Sequence, residues 1–228
     1  MTVELENVSK ILSNTAVLDH ISMNMQGGHV YGLHGINGCG KTMLMRVVAG
    51  LIHPTEGQVL VNGKFLSGQN SFPESLGLLL ENPAFLNQFT GFENLWLLAQ
   101  IQSRISEEEV RDVLRRVGLD PEDKRAYRKY SLGMKQRLGI ACAIMEKPDL
   151  LLLDEPFISL DDDGVKQTFQ IIQEEKKRGA LVILSSHDYD LLTHASDTIF
   201  HLTAGKVTKH YIKTEDGTFR EVGRCEVG

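Results

Sequence analysis

A chain of 228 residues can form one large domain or two small ones with an ample core. It is 42% hydrophobic, 24% charged and 7% aromatic, an ordinary globular balance, and its net charge of −6 argues against a nucleic-acid surface as its main footprint. Three scattered cysteines (Cys39, Cys142, Cys225) form no CxxC pair, which speaks for a reducing compartment rather than a disulfide scaffold or zinc site. The opening MTVELENVSK lacks the apolar stretch of a signal peptide. The longest apolar runs, LGLLL at 76–80 and LLLL at 150–153, fall far short of the ~20 residues that span a bilayer. A cytosolic chain is expected, and any work at a membrane would need another chain to cross it.

VELENV (3–8) and HVYGLHG (29–35) are predicted strands, the second running into a glycine-rich turn. TMLMRVVAGL (42–51) has Leu44, Val47, Val48 and Leu51 at helical spacing. Pro54 and Gly57 break the chain before QVLVNG (58–63), an alternating strand that ends in an Asn-Gly turn. Helices are predicted over 93–103 and 106–118. In the second, Ser106 and Glu109 make a capping box, Val110, Val113, Leu114 and Val117 form the buried stripe, and Gly118 closes it. YSLGMKQRLGIACAI (130–144) sets small polar residues before an apolar helix, the pattern of a helix start that can hold an anion.

DLLLLDEP (149–156) carries the unbroken apolar run of a strand buried on both faces. A helix over about 164–178 ends at Gly179, and ALVILSS (180–186) is a second such strand. Strands alternating with helices imply a parallel sheet, whereas residues 82–140 hold no convincing strand and read as a helical insertion. The tail YIKTEDGTFREV is expected to form a hairpin around Asp216-Gly217.

GINGCGKT (35–42) matches G-x-x-x-x-G-K-[ST] between a predicted strand and a predicted helix. Its glycines let the loop wrap phosphate oxygens with its amides, Lys41 is expected to reach the β- and γ-phosphates, and Thr42 to ligate Mg²⁺. Asp154 ends a buried strand at the sheet edge where ligands bind, so it is the expected Mg²⁺ partner. Glu155, one residue on, is placed to polarise a water attacking the γ-phosphate. Alone, such a pair is an ordinary solvated strand end; beside a phosphate loop it reads as catalytic. His187 follows the next buried strand, and at the same edge it reads as a γ-phosphate sensor. Cys39 lies inside the loop near a helix start and Lys41, both of which favour a thiolate, so alkylation there is expected to block nucleotide binding.

In order and spacing these elements resemble the ATP-binding cassette (ABC) family over essentially the whole chain. The resemblance implies an α/β fold: a P-loop NTPase (RecA-like) parallel-sheet core, an N-terminal antiparallel β subdomain and an inserted α-helical subdomain. It implies one ATPase domain over 1–228, with core about 1–80 and 141–228 and helical subdomain about 82–140. ATP and Mg²⁺ are the implied cofactors, with Gly35, Ile36, Asn37, Gly38, Cys39, Gly40, Lys41, Thr42 and Met43 around the phosphates. YSLG looks like the family's signature motif, so Ser131 and Gly133 would contact the ATP held by a second cassette. ISLD (158–161) resembles the D-loop, with Asp161 near that interface. LLLENPAFLNQFTGFENL (78–95) falls where the family's Q-loop lies, with Glu81 as a further metal-side residue.

The implied function is the ATP-hydrolysing motor of a membrane transporter, most similar to bacterial exporters and peptide-antibiotic immunity pumps, on the inner face of the cell membrane. Its implied partners are a transmembrane permease and a second cassette, identical or not; no nucleic acid is expected. A soluble non-transport cassette and a switch with little hydrolysis are the alternatives. Three positions depart from the family pattern. Glu81 replaces the Q-loop glutamine; Tyr130, Leu132 and Met134 replace Leu, Gly and Gln of the signature; and Leu12, with Val17 nearby, stands where an aromatic normally stacks on adenine.

Overall fold

The computed structural model describes residues 1–67, 71–80 and 84–222. In chain order the strands and helices are β1 (Thr2–Leu12), β2 (Thr15–Gln26), β3 (His29–His34), α1 (Lys41–Val48), β4 (Glu56–Val61), β5 (Lys64–Phe65) and β6 (Leu76–Leu79). They continue with α2 (Gly91–Gln102), α3 (Glu107–Arg116), α4 (Leu132–Ile144), β7 (Leu150–Leu153), α5 (Asp162–Arg178) and β8 (Leu181–Ser186). The last are α6 (Tyr189–Ala195), β9 (Thr198–Thr203), β10 (Lys206–Lys213) and β11 (Phe219–Glu221).

Two sheets result. One is antiparallel, in the order β2-β1-β4-β5; the other runs β11-β10-β9-β3-β8-β7-β6, parallel from β9 to β6 and closed at one end by the antiparallel β10–β11 hairpin. The four leucines of β7 explain the layering. Leu150 and Leu152 pack with Leu44 and Val48 of α1 and with Val3 and Ile21 of the antiparallel sheet. Leu151 and Leu153 face the other way, into Leu95, Val110, Leu138 and Ile171 of the helices. All four leucines are fully buried, each burial stabilising by about 2 kcal/mol. A strand covered on both faces leaves only its end for polar chemistry, and Asp154 stands there.

The strands and helices read from the sequence are present, including the helical insertion and the tail hairpin. Strands β2, β5, β6 and β9 and helix α6 go beyond that reading. In β2 the apolar alternation is disturbed by register shifts against β1 and by His20 at φ 49, so the strand period is masked. β6 has four residues, too few for a period, and takes its place only by parallel pairing with β7. Helix α4 runs unbroken past residue 140, so the expected boundary between helical block and core falls inside a helix. The block is further tied to the core at Arg116 of α3. Its guanidinium bonds Glu174 at 2.8 Å and the buried Glu175 at 2.9 Å, both on α5, while Arg178 bonds the other Glu175 oxygen.

Candidate active site

The loop between β3 and α1 is shaped by backbone demands. Gly40, the residue before α1, has φ 114, and a Cβ there would lie 2.8 Å from the Val17 carbonyl oxygen, so only glycine fits. No side chain caps α1 and no acidic residue occupies its first turn. Its first amides are therefore left to an anion, and the helix dipole favours one. Lys41 is 6% exposed, and its ammonium donates to the Gly35 carbonyl at 2.6 Å and the Ile36 carbonyl at 3.3 Å. Asn37, Gly38, Gly40, Lys41, Thr42 and Met43 line a cleft of about 270 Å³ with Val17, Asp154 and Glu155.

Residues 112 apart in sequence meet across this cleft: the Thr42 hydroxyl donates to Asp154 Oδ2 at 2.5 Å. The other Asp154 oxygen accepts from the Ser185 hydroxyl, and the same Ser185 oxygen receives the Glu155 amide at 3.0 Å. One serine at the end of β8 thus braces both carboxylate residues. Glu155 sits at φ 48, its carbonyl accepts from the Gln136 amide at 3.0 Å, and its Oε2 lies 3.0 Å from His187 Nδ1. Its Oε1 is buried and meets no protein partner. A hydroxyl, a neighbouring carboxylate and an unpartnered carboxylate oxygen form a hard-oxygen set, which fits Mg²⁺ shared with substrate phosphates. Glu81 lies outside the described residues.

Cys39 departs from the sequence expectation. It is 3% exposed, its sulfur packs inward against Gly35 and the core around Leu33, and it is not among the residues that line the cleft, so its thiol is not presented there. Maleimide should therefore label Cys39 slowly, at the rate at which the loop opens, and ATP should slow it further. Labelling as fast as an unprotected thiol, absent in Cys39→Ser, would contradict this burial. Ile36, in contrast, is 78% exposed, and its carbonyl is what serves Lys41.

The YSLG stretch lies apart from this cleft's own lining. Ser131 is exposed and caps α4 by accepting the Met134 amide at 3.2 Å. Leu132 is exposed, and a Cβ on Gly133 would come within 2.8 Å of the Ser159 carbonyl oxygen. Tyr130 turns inward instead. Its phenol is buried and accepts the first amide of α2, that of Gly91, at 3.1 Å, and burial raises its pKa. Asp161 caps α5, and the Gly164 amide, then the Arg137 guanidinium, hold its carboxyl below the usual range. Leu12, at the end of β1, is exposed.

Compared with known proteins, residues 18–158 match the family described as ABC transporter. The chain belongs to this family. An ABC transporter ATP-binding protein of Bacillus subtilis (strain 168), YybJ, is 44% identical over 205 residues, covering 90% of this chain and 94% of the relative. The bacitracin transport ATP-binding protein BcrA of Enterococcus faecalis is 37% identical and covers 86% of this chain, which spans 65% of BcrA. The lantibiotic transport ATP-binding protein SrtF of Streptococcus pyogenes is 33% identical, covering 90% of this chain and 88% of the relative. Among solved structures, an ATP-binding subunit of an ABC transporter superposes with a TM-score of 0.84 at 27% identity, covering 93% of this chain and 90% of that one. A dimeric bacterial ABC transporter cassette has a TM-score of 0.83 at 21% identity, covering 92% and 98%, and shows the shared fold.

The chain is thus an ABC ATPase, which binds ATP and couples its hydrolysis to transport. Two of the cassette's internal contacts escape a reading of motifs alone. Ser185 shows only as one of two serines before His187, and its bracing role needs β7 and β8 to be neighbours. Arg137 bonds the Val117 carbonyl at 2.9 Å, Gln167 at 2.7 Å and Asp161 at 2.7 Å, so it ties the YSLG helix to α3 and α5.

Proposed function

We propose that this ABC ATPase is the motor of an exporter, of the kind that moves peptide antibiotics, and that it works as a sandwich of two cassettes around ATP. The observation that carries the site assignment is the meeting of Thr42 and Asp154 at 2.5 Å beside the buried, unpartnered Glu155 Oε1. The amides of residues 35–43 would cradle the phosphates, and Lys41 would exchange its loop carbonyls for phosphate oxygens. Thr42 and Asp154 would hold Mg²⁺, which when bound neutralises charge on the β- and γ-phosphates. Glu155 would accept the proton of the attacking water, with His187 beside it oriented toward the γ-phosphate.

Export is supported by the bacitracin and lantibiotic transport relatives, whose names describe that cargo. No helix among the described residues is long and apolar enough to cross a membrane, so a permease partner would supply the path. Residues 82–140 would form the part that meets it, and the chain would sit on the inner face of the cell membrane. On α2, Leu97, Leu98 and Ile101 are exposed beside a groove of about 260 Å³ whose wall includes Leu76, Leu78 and Met145. Such an apolar surface suits a short permease segment.

The two-cassette arrangement is tested at Ser131. Its exposed position and its absence from the lining of the chain's own cleft support contact with ATP on a second cassette. Ser131→Arg, placed in a hydrolysis-deficient background, should abolish the ATP-dependent dimer on gel filtration and leave monomeric ATP affinity near wild type. Loss of monomeric binding instead would mean that YSLG serves its own phosphate loop.

A further inference from the structure

Gln136 lies on α4, a little over one turn beyond Ser131, the residue that caps the helix. Its Nε2 lies 3.0 Å from the Glu155 carbonyl oxygen. A carbonyl only accepts, so Gln136 turns its amide nitrogen to it and donates. The same carbonyl takes the Ile158 amide at 3.3 Å, and the Glu155 amide goes to the Ser185 hydroxyl at 3.0 Å. Both backbone polar groups of Glu155 are thus bonded while the residue sits at φ 48, a left-handed turn that is costly for any residue but glycine. The loop that follows meets α4 twice more. A Cβ on Gly133 would come within 2.8 Å of the Ser159 carbonyl oxygen, so helix and loop run close together, and Arg137 bonds Asp161 at 2.7 Å. Of these three contacts with α4, the Gln136 bond is the one that reaches Glu155.

We propose that Gln136 is a positioning residue for ATP turnover: its side-chain amide holds the Glu155 backbone in the turn that presents the carboxylate to the cleft. The proposal rests on the reading of Glu155 as the base for the attacking water. A left-handed residue persists only where its surroundings over-determine it. Without the Gln136 donor the carbonyl keeps only the longer bond from Ile158, and Glu155 is free to relax toward ordinary backbone and carry its carboxylate away from the cleft. The effect falls on turnover rather than on ATP capture, because Gln136 is not among the residues that line the nucleotide cleft. Since Ser131 heads the same helix, a single stretch of α4 joins the base of one cassette to the residue proposed to meet the other cassette's ATP.

Steady-state kinetics of Gln136→Met and Gln136→Lys, and of Gln136→Met placed in Glu155→Gln, test it. Gln136→Met keeps the length of the side chain without the donor, so kcat should fall about tenfold with the ATP KM within about twofold of wild type. The ammonium of Gln136→Lys can still donate to the Glu155 carbonyl, and most of kcat should return. In Glu155→Gln the base is already gone, so adding Gln136→Met should lower the residual turnover by no more than about twofold. Wild-type kcat in Gln136→Met, equal losses in the Met and Lys variants, or a further tenfold loss in the Glu155→Gln background would overturn the proposal alone. Full turnover by Glu155→Gln itself would remove the reading of Glu155 and this proposal with it. Should Gln136→Met fail to fold, Gln136→Glu takes its place with the same expected loss, since an ionised carboxylate keeps the shape and offers only acceptors.

Discussion

Replacing Glu155 with Gln is expected to cut ATP turnover by about 100-fold or more while ATP affinity stays near wild type. The amide matches the carboxylate in shape, so the contacts of the Glu155 backbone with Ser185 and Gln136 are untouched. It cannot accept a proton from water. In the proposed role the unpartnered Oε1 would take that proton, and removing its basicity would remove the step without opening the cleft. A trapped ATP state should then persist as a dimer on gel filtration in Mg-ATP and dissociate in Mg-ADP. Wild-type phosphate release by this variant would show that another group activates the water.

Lys41→Ala should weaken ATP binding by about 100-fold, measured by equilibrium titration, because charge-assisted bonds to phosphate have no substitute in the loop. The variant also strips the Gly35 and Ile36 carbonyls of their donor, so the loop itself loses a brace. The two effects separate by thermal melting without nucleotide. A small shift in Tm beside a large loss of affinity assigns the loss to phosphate contact. Unchanged affinity would overturn the site assignment.

The phosphate loop and the Asp154-Glu155 pair were legible in the sequence for a physical reason. A loop that wraps phosphate needs glycines at fixed spacing, and a strand covered on both faces must be apolar until it ends, so each feature is written in consecutive residues. Side-chain direction inside irregular backbone is not written that way. Cys39 is adjacent to the loop glycines in sequence but is turned into the core by the loop's curvature, and Tyr130 is turned onto α2. Ser185 was invisible for a different reason: its importance depends on which strand lies beside β7, a long-range pairing that no local pattern carries. β2 was lost because bulges disturb its period, and β6 because four residues are too few to show one.

The left-handed backbone at Glu155 sets this protein against its own stabilisation. A non-glycine residue at φ 48 costs about 1 kcal/mol or more, and the buried oxygen without a partner adds a desolvation cost. Glycine at 155 relieves both. Selection for heat tolerance alone would therefore drift toward discarding the residue proposed as the base, and on that proposal only selection for work done on ATP keeps a glutamate there. Heat-hardened variants of this chain are best sought away from position 155, among surface and loop residues that carry no such conflict.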